Sequence, residues 1–220
     1  MPKNCQIVLF SATFTEDVRA FAQRVAPNAN TISLKPDEVA VDTIKQFYMD
    51  CKNSEHKADV LCAIYGLLTI GQSIIFVRQR VTADQLAKKM ADEGHQVTCL
   101  HGAFDPEMRD KAIDDFREGR SKVLITTNVI ARGIDILQVN LVINFDVPMT
   151  QDNYPDIETY IHRIGRTGRF GRSGVSINFV HDEVSYKDMK VIEKGIGKEI
   201  TRVPTDDYMV IEKILKKAVK

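Results

Sequence analysis

The 220 residues carry 30 basic and 30 acidic side chains, for a formal net charge of zero, and 44% of them are apolar. This is the profile of a soluble globular chain able to bury one sizeable core and a fragment of another. With no bulk charge to attract nucleic acid or an anionic membrane surface, any anion site must come from local clustering.

The chain begins without a basic stretch followed by a long apolar one, so its start does not read as a signal peptide. "CQIVLF" (5–10) and "TISL" (31–34) read as strands, with a helix over 15–26 between them. Two strands and one helix cannot bury a core alone, so residues 1–34 read as a piece of a separate domain. "LKPDEVAVDT" (34–43) holds Pro36 and three acids and reads as a linker, which we place at 35–43. From residue 44, β-branched runs alternate with segments of helical period. "IKQFYMD" (44–50), "QSIIFV" (72–77), "QVTCL" (96–100), "KVLITT" (122–127), "LVINFD" (141–146) and "VSINFV" (175–180) are strand candidates. Helices are expected over 55–69, 81–93, 105–118 and 183–194, with a last one near the C-terminus capped by Thr205 or Asp206. This rhythm predicts an α/β domain over 44–220, a largely parallel sheet with helices on both faces. The apolar stretch 60–77 is split by Gly71-Gln72-Ser73 and reads as buried core rather than a membrane span, so no membrane insertion is expected.

Cys5, Cys51, Cys62 and Cys99 are scattered without a CxxC pair, which favours reduced, buried thiols over disulfides or zinc; no metal site is expected. His56, His95 and His181 lack a second ligand nearby in sequence, and Phe47 and Tyr48 alternate as strand residues that pack. In open parallel sheets ligands bind beyond the carboxyl ends of the strands. Small, hydroxylated or cationic residues recur there: Ser11-Ala12-Thr13, Arg78, His101-Gly102, Thr127-Asn128, and Arg132-Gly133-Ile134-Asp135. The stretch "YIHRIGRTGRFGRSG" (160–174) then sets four arginines among four glycines. Arginine matches phosphate oxygens with a fixed fork of donors, and the glycines let backbone N–H groups approach a ligand. A solvated face would mix in acids and lysines, so the stretch reads as a phosphate or nucleotide site.

These stretches, "SAT" (11–13), "SIIFVR" (73–78), "LHG" with Arg109, "TTNVIARGID" (126–135) and "HRIGRTGR" (162–169), resemble the ordered motifs of DEAD-box RNA helicases of superfamily two. The family fold is two RecA-like lobes, and this chain resembles all of the second lobe plus the last strand–SAT–helix–strand piece of the first. With "PMTQDNYPDIETYIHR" (148–163) and "RVPTDDY" (202–208) it is similar to the mRNA-export branch at the nuclear pore. The resemblance implies that Arg166 and Arg169 are arginine fingers reaching ATP and Mg2+ held by the other lobe. It implies that Asp135 binds the ribose, that Gly133 lies beside the attacking water, and that His162 and Arg163 couple that site to the interlobe surface and to Ser11, Ala12 and Thr13. Arg78, Gly102, Arg109, Thr126 and Arg132 would hold the backbone of single-stranded RNA without reading its sequence. Implied partners are RNA, an N-terminal RecA-like lobe and a nuclear-pore export factor with inositol hexakisphosphate; the implied location is nucleus and cytoplasm, at the pore.

The chain departs from the family at Asn128, where an aspartate is usual, and at Pro106, where a glutamine is usual. No GxxxxGK[ST] phosphate loop occurs in it, and Gly195-Ile196-Gly197-Lys198 follows a helix rather than a strand. "DEVA" (37–40) and "DEVS" (182–185) read as solvated or capping acids. The alternative reading is a stand-alone RNA-binding or regulatory module without ATPase activity.

Overall fold

The computed structural model describes residues 5–10, 16–33, 43–128, 139–168 and 173–219. The chain divides into two compact units, Met1–Val39 and Ala40–Lys220. In the first, α1 spans Glu16–Val25, as the helical period predicts. The two flanking runs are not strands over their described residues, 5–10 and 31–33. A strand exists only within a ladder, and neither run has a ladder partner among the described residues. Their apolar side chains lie open, with Phe10 93% and Ile32 89% exposed. Most of the expected linker lies outside the described residues.

The second unit is built on seven parallel strands: β1 (Ile44–Asp50), β2 (Gln72–Phe76), β3 (Val97–Leu100), β4 (Val123–Thr126), β5 (Val139–Asn144), β6 (Gly174–Val180) and β7 (Thr201–Val203). Their order is β3-β4-β2-β5-β6-β1-β7, and every pairing is parallel. The helices are α2 (Ser54–Leu67), α3 (Arg80–Asp92), α4 (Pro106–Arg117), α5 (Ile157–Ile164), α6 (Glu183–Ile196) and α7 (Tyr208–Val219).

Successive strand residues point to opposite faces, and the two sides of the core follow from that alternation. Ile75, Ile125, Ile143 and Ile177 pack with Leu61 and Ile64 of α2, Leu86 and Met90 of α3, and Ile211 and Leu215 of α7. On the other face Ile74, Phe76, Leu124 and Val142 meet Ala112 and Phe116 of α4. Tyr160 and Ile164 of α5 pack there with Met189, Ile192 and Ile196 of α6. The sheet is covered on both faces, so its strands read as continuous apolar runs.

Caps explain most helix boundaries. Asp105 accepts from the Met108 amide with Pro106 in the first turn of α4, and Gly119 (φ 75°) lies just past its end. Several boundaries differ from expectation. α3 opens at Arg80 rather than at 81, because Gln79 already has the extended backbone of a cap. Asp207, rather than Asp206 or Thr205, accepts from the Met209 and Val210 amides ahead of α7, while the Thr205 hydroxyl donates to the Asp50 carbonyl. The largest difference is α5, which turns the start of the arginine-rich stretch from loop into helix. Asp156 caps it through the Thr159 amide, and Tyr160 and Ile164 lie one turn apart on its buried face. The glycines after it hide this period in the sequence.

"DEVS" proves to be a cap: Asp182 and Ser185 form a reciprocal capping box at the start of α6. The glycine-lysine stretch at 195–198 ends the same helix, with Gly197 left-handed at φ 64°. Ser185 hydrogen bonds hold the Asp182 carboxyl below its ordinary range. That stabilisation is therefore present above the ordinary carboxylate pKa and is lost as pH falls below it. Asp182→Ala is expected to lower unfolding free energy by about 1 kcal/mol at neutral pH. In urea titrations the difference from wild type should shrink under acid conditions.

Candidate nucleotide and nucleic-acid interface

At the carboxyl edge of the sheet, the ends of β2, β4 and β5 converge on one buried cation. Arg163, in the last turn of α5, is 2% exposed. Its Nε and Nη2 donate to Asn128 Oδ1 at 3.2 and 2.6 Å, and its Nη1 donates to Asn144 Oδ1 at 3.0 Å and to the Asp146 carbonyl at 2.8 Å. The guanidinium also lies 4.8 Å from the centroid of the Phe76 ring. Burial pulls the Arg163 pKa down, to about 9, against the opposing pull of Asp146 and Asp156, and leaves it cationic at neutral pH. With asparagine at 128, amide and backbone oxygens take the donors of this guanidinium, and no carboxylate among the described residues accepts from it directly.

The network runs on through the sheet. Asn144 Nδ2 donates to Asn178 Oδ1, Asn178 Nδ2 to the Phe47 carbonyl and the Tyr160 hydroxyl, and that hydroxyl to Gln46 Oε1. On the other side Asp146 accepts from the 2%-exposed Lys57 at 2.8 Å and from the Arg78 amide at 2.8 Å. Buried polar groups of this kind are satisfied jointly or become costly. Sequence reading missed Asn144, Asn178, Lys57 and Asp146. The legible signal was the polar residue in "INF", which occurs twice within apolar strand runs and pairs with itself across β5 and β6.

The structure places the expected site residues unevenly. Arg78 is exposed just past β2, with its backbone tied to Asp146. Gly102 is exposed past β3, and Arg109 Nη2 donates to its carbonyl at 3.1 Å. Thr126 cannot touch a strand of RNA from where it lies: it is fully buried and its hydroxyl donates to the carbonyls of Leu100 and Thr127. Packing at the end of β4 claims the hydroxyl, and Thr127 reaches the cavity beyond. That cavity, of about 270 Å3, is lined by Arg78, Thr127, Asn128, Met149, Thr150, Asn153 and Arg163, among others. Its lining combines the exposed Arg78 with the neutral hydrogen-bonding side chains of Thr127, Asn128, Thr150 and Asn153, and with Val147, Pro148 and Met149.

His162 is half-buried with Nε2 3.7 Å from Glu158 Oε1, one turn back along α5. Arg163 is enclosed, so any coupling through it passes by way of the groups it holds. Arg166 is 9% exposed, its amide bonded to the Arg163 carbonyl and its Nε to the His162 carbonyl. Thr43 closes the base of the following segment: its hydroxyl donates to the Gly168 carbonyl and its carbonyl accepts from the Gly174 amide. A side chain at Gly174 would overlap Thr167 and the Gly168 amide. Ser11, Ala12, Thr13, Arg132, Gly133, Asp135 and Arg169 lie outside the described residues.

Topology divides the edge in two. β3, β4 and β2 are neighbours, so Arg78 and the Gly102–Arg109 pair share one end of the sheet. The segment after α5 leads into β6, on the far side of β5, next to β1. Arg163 sits between the two halves. Arg163→Met is expected to lower stability by about 3 kcal/mol in urea unfolding, because the buried Asn144 oxygen and the part-buried oxygens of Asn128 and Asp146 lose their donor. Gly174→Ala should cost about 1–3 kcal/mol by overpacking, read as a lower thermal midpoint.

The model for the helicase conserved C-terminal domain matches residues 56–171, just over half of the chain. The ATP-dependent RNA helicase dbp5 of Schizosaccharomyces pombe is 59% identical over 220 residues, which are 100% of this chain and 44% of that protein. Saccharomyces cerevisiae Dbp5 bound to RNA and ADP BeF3 matches with a TM-score of 0.91 and 58% identity, covering 100% of this chain and 56% of that one. A variant of the S. cerevisiae protein bound to a variant gle1 and ip6 matches with a TM-score of 0.90 and 56% identity, covering 100% of this chain and 55% of that one. The chain thus spans about half the length of the relatives it matches. A seven-stranded parallel sheet, with the arginine-rich stretch leading out of a helix at its carboxyl edge, places this chain in the helicase conserved C-terminal domain family, as a DEAD-box lobe of the Dbp5 kind.

Proposed function

We propose that this chain is the C-terminal RecA-like lobe of an ATP-dependent RNA helicase that remodels RNA during mRNA export, with residues 1–34 the closing piece of the N-terminal lobe and 35–43 the linker. The observation that carries the reading is the seat of Arg166. It lies two residues past the end of α5, its amide bonded to the carbonyl of Arg163, whose guanidinium is held at the sheet edge. A cation held this rigidly meets developing phosphate charge without reorganising first.

In this reading Arg166, with Arg169, serves ATP bound by the other lobe; such fingers supplied to a nucleotide site are worth about 10³ to 10⁵ in rate. Gly133 and Asp135 contribute the water-side and ribose contacts. Ser11, Ala12, Thr13 and His162 relay lobe closure. Arg78, Gly102, Arg109 and Arg132 hold the backbone of a single strand. Magnesium bound with ATP would supply charge neutralisation at the phosphates. Asp146 is already bonded through both oxygens, to the Lys57 ammonium and the Arg78 amide, so in this reading the ion is held by the other lobe. RNA and ATP both favour the closed pair of lobes, so each raises the affinity for the other. By likeness to the relative bound to gle1 and ip6, this lobe takes an export factor with inositol hexakisphosphate, at the nuclear pore, in a protein present in nucleus and cytoplasm.

The deciding experiment is ATP hydrolysis with and without single-stranded RNA, by the chain alone and mixed with a lobe that carries a phosphate loop. No turnover alone and RNA-stimulated turnover in the mixture are expected. Arg166→Gln should then lower the mixture's kcat by about 10³. Turnover by the chain alone would overturn the reading. Tight RNA binding by the chain alone, with no rescue in the mixture, would favour the stand-alone RNA-binding module.

A further inference from the structure

The loop after β3 is wrapped around a buried histidine. His101 is 4% exposed; its Nδ1 accepts from the Ala103 amide at 3.3 Å, its carbonyl accepts from the Phe104 amide, and its ring stacks on Phe104 with centroids 4.4 Å apart. Because Nδ1 accepts, Nε2 carries the proton of the neutral ring, and it donates to Asp84 Oδ1 at 3.1 Å. Asp84 belongs to α3, and its side chain is 59% exposed. Cys99, two residues back on the same face of β3, donates its thiol to the same carboxylate oxygen at 3.7 Å.

These three side chains bring their ligand atoms within 4.8 Å of one another, which raises the question of a metal. Metal on Nε2 would force the ring proton onto Nδ1, facing the Ala103 N–H, where a ligating histidine needs an acceptor. Burial, reinforced by Asp84, also pushes the Cys99 thiol up to about 12, away from the thiolate a metal requires. The cluster is arranged as a hydrogen-bonded anchor. What it anchors is the turn that carries Gly102, whose carbonyl holds Arg109.

We infer that Asp84 is a positioning residue for RNA binding: through His101 it fixes the 101–104 turn, and thereby the Gly102–Arg109 pair. The effect on RNA rests on the proposed RNA face; the effect on the loop does not. An exposed carboxylate near a polyanion site would, by charge alone, weaken RNA binding, so removing it would tighten binding. A positioning role has the opposite sign.

The test compares the whole chain with Asp84→Ala, Asp84→Asn and Arg109→Ala, using fluorescence anisotropy with labelled oligouridine at low salt and amide hydrogen exchange. Asn keeps the acceptor for His101 and loses only the charge. We expect Asp84→Ala to bind RNA about 3- to 10-fold more weakly and to exchange the Ala103 and Phe104 amides about tenfold faster, at an unchanged thermal midpoint. Asp84→Asn should restore both. Unchanged or tighter RNA binding by Asp84→Ala, with Arg109→Ala weakened, overturns the inference and leaves the RNA face standing. No effect of Arg109→Ala removes that face and the inference with it. An unchanged exchange profile in Asp84→Ala overturns the anchor whatever the RNA data.

Discussion

A single positive charge, taken out of water and satisfied by oxygens at and just beyond the ends of β4 and β5, organises the carboxyl edge of this sheet. Arg163 can be buried only where enough oxygens converge, and Asn128, Asn144 and the Asp146 carbonyl supply them from beyond β4, the end of β5 and the loop after it. Those oxygens in turn keep their places because the guanidinium is there. The arrangement fixes where α5 ends, and so where Arg166 begins. It also closes one wall of the cavity that Arg78 opens onto solvent.

Around that hub the edge is organised by topology more than by chain order. Arg78 and the Gly102–Arg109 pair lie past neighbouring strands on one side, and the segment after α5 lies on the other, beside Thr43 at the head of β1. Thr43 bridges Gly168 and Gly174, so the residue just ahead of β1 also ties together two glycines of the arginine-rich stretch. Rigid strands present the contacts, and short loops with their own internal bonds aim them. The Asp84–His101 anchor is the same device on a smaller scale, a buried ring holding the turn whose Gly102 carbonyl accepts from Arg109.

Where sequence reading fell short, the reason is physical in each case. The runs at 5–10 and 31–33 have strand composition, but composition does not provide a ladder partner. The stretch at 160–164 looks like loop because of the glycines after it, yet Asp156 caps a helix and Tyr160 and Ile164 bury its face. Thr126 stands at a strand end, where side chains reach ligands, but the neighbouring carbonyls claim its hydroxyl. Asn144 and Asn178 were visible as polar residues in apolar runs, and only the register that sets them opposite each other gives them a purpose.

Local pattern determined a great deal here. The β-branched apolar runs of the strands, the helical period between them, and the caps at Asp105 and Asp182 establish a doubly covered parallel sheet, and the ordered motifs establish the family. These signals sit within a few residues of each other, so a chain read in order displays them. Strand order, the burial of Arg163 and the division of the edge into two halves were decided by tertiary structure alone. They rest on contacts between residues far apart in the chain, as with Arg163 and Asn128, 35 positions apart, whose joint satisfaction has no trace in the neighbourhood of either.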